Sequence, residues 1–293
     1  MKNNKVIKIG TRGSQLALIQ TEMIEKRLAA LGCRTEKIII KTTGDQILDK
    51  PPSEFGGKAV FVLEFERLIQ NGTIDIAVHS AKDMPTVLGE GLCIGACLER
   101  ADVRDVLVTL KNTDRNHIAK IATGSLRRQC QAKEIYPNAV FVPIRGNVPT
   151  RLNRLTEHPF DALILAAAGI RRLGLDTDER FHFEALDTDR FVPAAAQGII
   201  AAETKANSEV FHLLREINDY HSLIALETER EWMKEINADC HQAVGAYASL
   251  HGDHITLTVM KYQNDKCVYL SDTAKIAEHS LLAKSLAQKM LKD

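Results

Sequence analysis

A strand, a helix, a strand, a helix and a strand follow one another twice along this chain, and that order leaves few folds open. Residues 5–10 (KVIKIG), 36–42 (EKIIIKT) and 74–79 carry the short apolar runs of strands. Between the first two, Leu16, Ile19, Met23, Ile24, Leu28 and Leu31 recur at helical spacing behind Ser14, a natural N-cap. A second helix is expected over 59–71, closed by Gly72. The order restarts with strands at 118–122, 139–144 and 161–167. Helices at 125–135 and 149–157 separate them, with Pro149 in a first turn that tolerates it. Locally, KIGTRGSQLALIQ near the start is echoed by KIATGSLRRQCQA at 120–132. Such alternation predicts largely parallel sheets with helices on both faces, and the apolar centre from Ile38 to Ile40 predicts a strand covered on both sides.

Two stretches connect the halves: LERADVRD (98–105) and FVPAAAQGIIAAET (191–204), the latter a return strand with a Gly/Ala hinge. Two α/β lobes joined by two crossings predict a cleft that closes by hinge motion. After about residue 217 the pattern changes. A helix over 220–236 carries the only tryptophan, Trp232, and ADCH forms a turn. Strands at 243–250, 254–262 and 266–271 follow at hairpin spacing, joined by HGD and QND, before a last helix at 274–291. The expected class is therefore α/β, two lobes plus a small α+β C-terminal domain with a three-stranded antiparallel sheet. The boundaries read as 1–98 with 196–216, 103–192, and 218–293. The loop 42–58 is rich in proline and glycine and long enough to be a functional loop or lid.

Bulk properties remove several functions. Basic and acidic side chains balance at 38 each, and aromatics are 5% of residues, which opposes a nucleic-acid binder. No apolar run approaches the ~20 residues of a membrane span. The start enters a strand directly, with no signal-peptide apolar region, so a cytoplasmic location is expected. Six cysteines in 293 residues do not make a disulfide scaffold. Cys93 and Cys97 lie in an apolar strand pattern without a partner pair, so they read as buried thiols and no metal site is expected.

Arginine is unevenly placed: 12 of 18 lie between residues 100 and 190. Arg127 and Arg128 stand in TGSLRRQCQ, Arg145 and Arg151 in IRGNVPTRLNRL, and Arg171 and Arg172 in AAGIRRLGL. Each pair sits where an apolar run ends in a small-residue turn. Helix N-termini at such turns attract anions, and a guanidinium fork matches carboxylate or phosphate. Each charge-assisted bond is worth roughly 1.5–3 kcal/mol when shielded. The alternative use of any one arginine is pairing with a nearby acid. HSAKDMP (79–85) puts Lys82 and Asp83 at the corresponding edge of the first lobe, where a carboxylate among cations stays ionised. It can shuttle protons or stabilise a developing cation. Cys240, beside His241 in INADCHQAVGAYA, is either a structural thiol or a nucleophile or attachment point. GGKAVFV (56–62) lacks the spacing of a P-loop.

Taken in order, GTRGSQLALIQ, GGKAVFV, DIAVHSAKDMPT, TGSLRRQC, RGNVPTRL, AAGIRRLGL, VPAAAQG and DCHQAVGAYA closely resemble the porphobilinogen deaminase (hydroxymethylbilane synthase) family over nearly the whole chain. The resemblance implies two periplasmic-binding-protein-like lobes and a third domain, in a monomeric transferase of haem biosynthesis. It implies head-to-tail condensation of four porphobilinogen molecules with release of ammonia, primed on a dipyrromethane cofactor held by a thioether. The matching cysteine is Cys240. By the same resemblance, Arg12, Ser14, Lys82, Thr123, Ser125, Arg127, Arg128, Arg145 and Arg151 bind the cofactor. Lys58, Phe61, Ser80, Arg172 and Gln197 join Arg12, Arg145 and Arg151 in contacting substrate. Asp83 matches the catalytic aspartate, with Lys82, Arg127 and Arg128 supporting it. The arginines then have a physical reason. Six rings, each with an acetate and a propionate, bring about a dozen carboxylates together, which repel prohibitively without cations.

Several positions depart from that pattern. Thr43, Glu54 and Leu63 remove positive charge in and near the first-lobe loop, and Gly124, Pro149 and Ala196 alter three turns. Ala238 and Asp239 stand where relatives often have two glycines before the cysteine, and both resist backbone angles that glycine permits. A neighbouring carboxylate also disfavours a thiolate, so slower cofactor loading or altered loop mobility is expected. The competing reading is a non-catalytic two-lobed binder of an anionic ligand. That reading gives no use to a cysteine in a third domain.

Overall fold

The computed structural model of the chain describes residues 6–41, 59–157, 159–238 and 242–292. Two compact units are present, Met1–Arg100 with Ile199–Glu227, and Ala101–Gly198 with Thr228–Asp293. The first begins with β1 (Ile7–Arg12), α1 (Gln15–Ala30), β2 (Thr35–Ile40), α2 (Ala59–Gln70), β3 (Ile76–Ser80) and β4 (Leu92–Cys97). The second takes β5 (Asp105–Leu110), β6 (Lys120–Ala122), α3 (Leu126–Ile135), β7 (Val140–Val142), α4 (Val148–Thr156), β8 (Ala162–Ala166), α5 (Ala167–Arg172) and β9 (Phe181–Ala185). β10 (Ile200–Lys205) and α6 (Glu209–Glu216) belong to the first unit again. Helix α7 (Tyr220–Glu235) leads into β11 (Val244–His251), β12 (His254–Gln263), β13 (Lys266–Lys275) and α8 (His279–Lys292).

The local chemistry that starts these helices is the one the sequence suggests. Ser14 Oγ accepts from Ala17 N at 3.3 Å and caps α1. Ser125 caps α3, and Asn147 Oδ1 accepts from Thr150 N at 2.9 Å to cap α4. Pro149 sits in the first turn of α4, where its missing N–H is no loss. Gly72, at φ 76°, ends α2 with its N–H on the Ile69 carbonyl.

The two lobe sheets have equivalent orders, β2-β1-β3-β10-β4 and β7-β6-β8-β5-β9. In each, the first three strands run parallel and the fourth is antiparallel to both neighbours. Four of the five strands in each sheet therefore point the same way, in line with the expectation of largely parallel sheets, and one strand runs against them. The antiparallel strand is the one the chain enters after passing between units, so it arrives without a crossover helix. β2 is an edge strand, and Ile39 is 54% exposed, so the expected cover on both faces is absent. The last helix begins at His279 because β13 continues to Lys275.

Apolar cores lie on both faces of each lobe sheet. In the first, Ile24 and Leu28 of α1 and Leu214 of α6 pack on Ile9, Ile76 and Ile200, while Phe65 and Ile69 of α2 cover Ile74 and Ala77. In the second, Leu152 and Leu155 of α4 pack on Val108, Leu163 and Leu165, and Ala132 of α3 joins Ile121, Ile164 and Phe191. Fully burying one such side chain contributes about 1.5–3 kcal/mol. The third sheet, β11-β12-β13, is antiparallel throughout. Ile255, Leu257 and Val259 alternate into its buried side, and Thr256 and Thr258 pair with Thr273 and Ser271 on the exposed one. Asn264 and Asp265 both take positive φ in the β12–β13 turn, which their short polar side chains tolerate.

Strand β11 is fastened to the segment after α5 and β9. Ala246 N donates to the Pro193 carbonyl at 3.0 Å. At Gly245, an added Cβ would lie 2.8 Å from the Val192 carbonyl and 2.9 Å from that of Pro193, two backbone atoms that cannot swing away. Gly245→Ala is therefore expected to destabilise the chain by about 1–3 kcal/mol, the scale of an overpacked core. Denaturant unfolding checks this, and a change within about 0.5 kcal/mol contradicts the close approach.

Candidate active site

The C-terminal ends of β1 and β3 lie side by side, because the strands are parallel and pair at Ile9–Ile76 and Gly10–Ala77. Half-buried Arg12 ends β1, and Ser14 opens α1 two residues later. After β3 the chain makes one 3₁₀ turn, Ala81–Asp83, which carries half-buried Lys82 and Asp83. This tip is fixed from below. Ala81 N donates to the Ile199 carbonyl at 3.0 Å, and Ser80 Oγ accepts from buried Gln20 Nε2 at 2.8 Å. One residue earlier, His79 Nε2 lies 3.0 Å from Glu203 Oε2 of β10, and its ring meets Phe65 edge-on. Arg12, Ser14, Ser80, Lys82 and Asp83 are thus gathered at one sheet edge in the first unit.

The second unit repeats the arrangement with β6, β7 and β8. Thr123 Oγ1 accepts from Ser125 N at 3.2 Å, and Ser125 Oγ caps α3. At Gly124 a Cβ would sit 3.3 Å from the Ile144 carbonyl, so the departure there suits a tight turn. Arg145 follows β7, and Arg151 Nε donates to the Gly146 carbonyl at 2.7 Å, closing that turn on itself. Arg172 ends α5 with Nη2 on the Gly198 carbonyl at 2.6 Å.

Arg127 and Arg128 are not pointed at open solvent. Both are buried, and both bond Asp105, which opens β5 and is 0% exposed. Arg127 Nη1 reaches Asp105 Oδ2 at 2.7 Å, and Arg128 reaches Oδ1 through Nη2 at 2.7 Å and Nε at 3.0 Å. Gln197 Nε2 adds a bond to Oδ1 at 3.1 Å and another to the Val103 carbonyl at 2.7 Å. Burial pushes the Arg127 guanidinium below its ordinary value, Asp105 pulls it back up, and Arg128 pushes it down. Asp105 was not singled out by the sequence. Its signal is a charged residue opening the apolar run DVLVTL.

The remaining departures sort by place. Ala196 has φ 61°, a region where glycine is at ease, and its N–H is held by Glu229 Oε2 at 2.5 Å. Asn237, not Ala238, takes a positive φ, so Ala238 meets no strain of that kind. Leu63 is exposed on α2. Phe61 lies in the first turn of α2. Thr43, Glu54, Lys58, Asp239, Cys240 and His241 lie outside the described residues. Among the described residues, no acidic, histidine or cysteine group is arranged to hold a metal ion, and no helix is long and apolar enough to cross a membrane.

Two family profiles match: porphobilinogen deaminase, dipyromethane cofactor binding domain, over residues 7–212, and porphobilinogen deaminase, C-terminal domain, over 223–292. The chain belongs to the porphobilinogen deaminase family. Curated porphobilinogen deaminases include one from Roseiflexus sp. (strain RS-1), 42% identical over 86% of this chain and 84% of that one. Another, from Streptococcus sanguinis (strain SK36), is 37% identical over 94% of each. Among solved structures, the Bordetella pertussis BvgS periplasmic VFT2 domain matches with a TM-score of 0.43 and 17% identity, covering 77% of this chain and 90% of that one. As a porphobilinogen deaminase family member, the chain is a transferase of tetrapyrrole synthesis with a dipyrromethane-binding domain. Its residues suit that group. The buried Nε of Arg172 has no partner among the described residues, and burial alone pulls its guanidinium down to about 10. A half-buried cation with no acid bonded to it among the described residues is suited to the carboxylate of a pyrrole.

Proposed function

We propose that this chain is a porphobilinogen deaminase that condenses four porphobilinogens head to tail into hydroxymethylbilane, working as a monomer in the cytoplasm. The observation that supports this reading is the grouping of Arg12, Ser14, Lys82 and Asp83 at one sheet edge, on a turn fixed by Ala81 N and Ser80. Cys240 is the attachment residue for dipyrromethane, which supplies a pyrrole with a free α-carbon as the growing end. Arg12, Ser14, Lys82, Thr123, Ser125, Arg127, Arg128, Arg145 and Arg151 hold its acetates and propionates by charge-assisted bonds. Lys58, Phe61, Ser80, Arg172 and Gln197 contribute to the substrate contacts, with Gln197 acting through its bond to Asp105.

Asp83 does the chemistry at the reacting centre. Loss of ammonia from porphobilinogen leaves a cationic methylene-pyrrolenine, and a carboxylate near the pyrrole nitrogen stabilises it. The same carboxylate accepts the proton released as the new ring regains aromaticity. Its attachment to the end of a buried strand holds it still while charge develops, the condition under which electrostatic stabilisation is largest.

Given porphobilinogen, the purified chain is expected to release one ammonia per molecule consumed and to accumulate a linear tetrapyrrole. Binding of porphobilinogen without ammonia release would sink the proposal in favour of a non-catalytic binder.

A further inference from the structure

Arg127 and Arg128 bring two positive charges into a buried site with one carboxylate. Asp105 is the only acid that bonds either guanidinium among the described residues. Their other bonds go to neutral groups: Arg127 Nη1 to the Val192 carbonyl at 2.7 Å, and Arg128 Nη1 to the Ile164 carbonyl at 2.9 Å. Val192 is itself held in both directions by Gln131, which accepts from its N–H at 2.7 Å and donates to its carbonyl at 3.1 Å. Gln197 fixes Asp105 from another side. The guanidinia are therefore clamped in orientation, and one positive charge is left over. A buried excess charge of this kind favours uptake of one anion, and a fully unopposed pair favours it more strongly.

We propose that Asp105 is a positioning residue for this pair: it aims both guanidinia and neutralises one of their charges, so that they take one pyrrole carboxylate and can release it. This rests on the reading that Arg127 and Arg128 bind such carboxylates. With Asp105 absent, the pair grips anions harder and gives them up more slowly. The carboxylate then limits affinity in exchange for turnover, a role distinct from packing.

The test uses the full-length chain with Asp105→Asn, Asp105→Glu and no substitution. Thermal unfolding is followed in sodium acetate, in sodium chloride of equal ionic strength, and in acetamide, a neutral acetate analogue. For Asp105→Asn, acetate is expected to raise the unfolding temperature more than in the unsubstituted chain, and more than chloride or acetamide does, because a ligand bound only by the folded state stabilises it. If Asp105→Asn does not fold in chloride, recovery of a cooperative transition in acetate supports the proposal, and no recovery overturns it. In steady state, Asp105→Asn is expected to lower kcat by roughly tenfold, because a carboxylate of the growing chain that is held too tightly slows its passage. Asp105→Glu retains the charge, so its acetate response should match that of the unsubstituted chain. An acetate response in Asp105→Asn no larger than in the unsubstituted chain overturns the proposal, as does an unchanged kcat in Asp105→Asn. Failure of the deaminase reading is separate: the unsubstituted chain then shows no turnover, whatever the unfolding data give.

Discussion

Asp83→Asn is expected to lower turnover of porphobilinogen by about 10²–10⁴-fold, the range for a positioned acid–base group, while the purified protein still carries its cofactor. The substitution keeps the shape of the side chain and removes its charge. The turn keeps two anchors that do not involve the carboxylate, Ala81 N on the Ile199 carbonyl and Ser80 on Gln20. The loss should fall on kcat and kcat/KM alike, as expected for an interaction made in the transition state. Turnover within a few-fold of the unsubstituted chain would remove Asp83 from the reaction.

Replacing Arg127 and Arg128 together by alanine is expected to remove cofactor loading and to destabilise the fold by about 3–5 kcal/mol, because Asp105 is then an uncompensated buried carboxylate. The two effects have different origins and separate experimentally. Adding Asp105→Asn to the double variant removes the stranded charge, so stability should largely return while loading should not. Denaturant unfolding gives the first quantity and intact mass the second. A triple variant that regained cofactor would show that the arginines serve only to satisfy Asp105.

That contrast also marks how far the sequence could be read. Helix starts were legible because capping is local: Ser14 and Ser125 sit at fixed offsets from the N–H groups they cap. The third sheet was legible because its alternation and turn residues are local too. β5 was not, since its strand partners lie at 162–166 and 181–185 and no helix follows it to signal a crossover. The same distance hid the partner of the arginine pair. Whether an arginine faces a ligand or an internal acid depends on a residue 22 or 23 positions away, and spacing carries no trace of it. β2 misled for another reason: an apolar run such as Ile38 to Ile40 fits a central strand and an edge strand equally well, and neighbour order decides which it is.

The departures divide along the same line. Ala196 stands where its backbone would suit glycine, and its N–H, donating to buried Glu229, holds it there. Gly124 and Pro149 fit the turns they occupy.

The central claim is that a pyrrole chain is grown from the thiol of Cys240. Intact mass of the protein, purified from a host that makes porphobilinogen, tests it directly. The account predicts a mass increase equal to two linked pyrrole rings in the unsubstituted chain and none in Cys240→Ser. An unmodified mass in the unsubstituted chain, or the same adduct on Cys240→Ser, would contradict it.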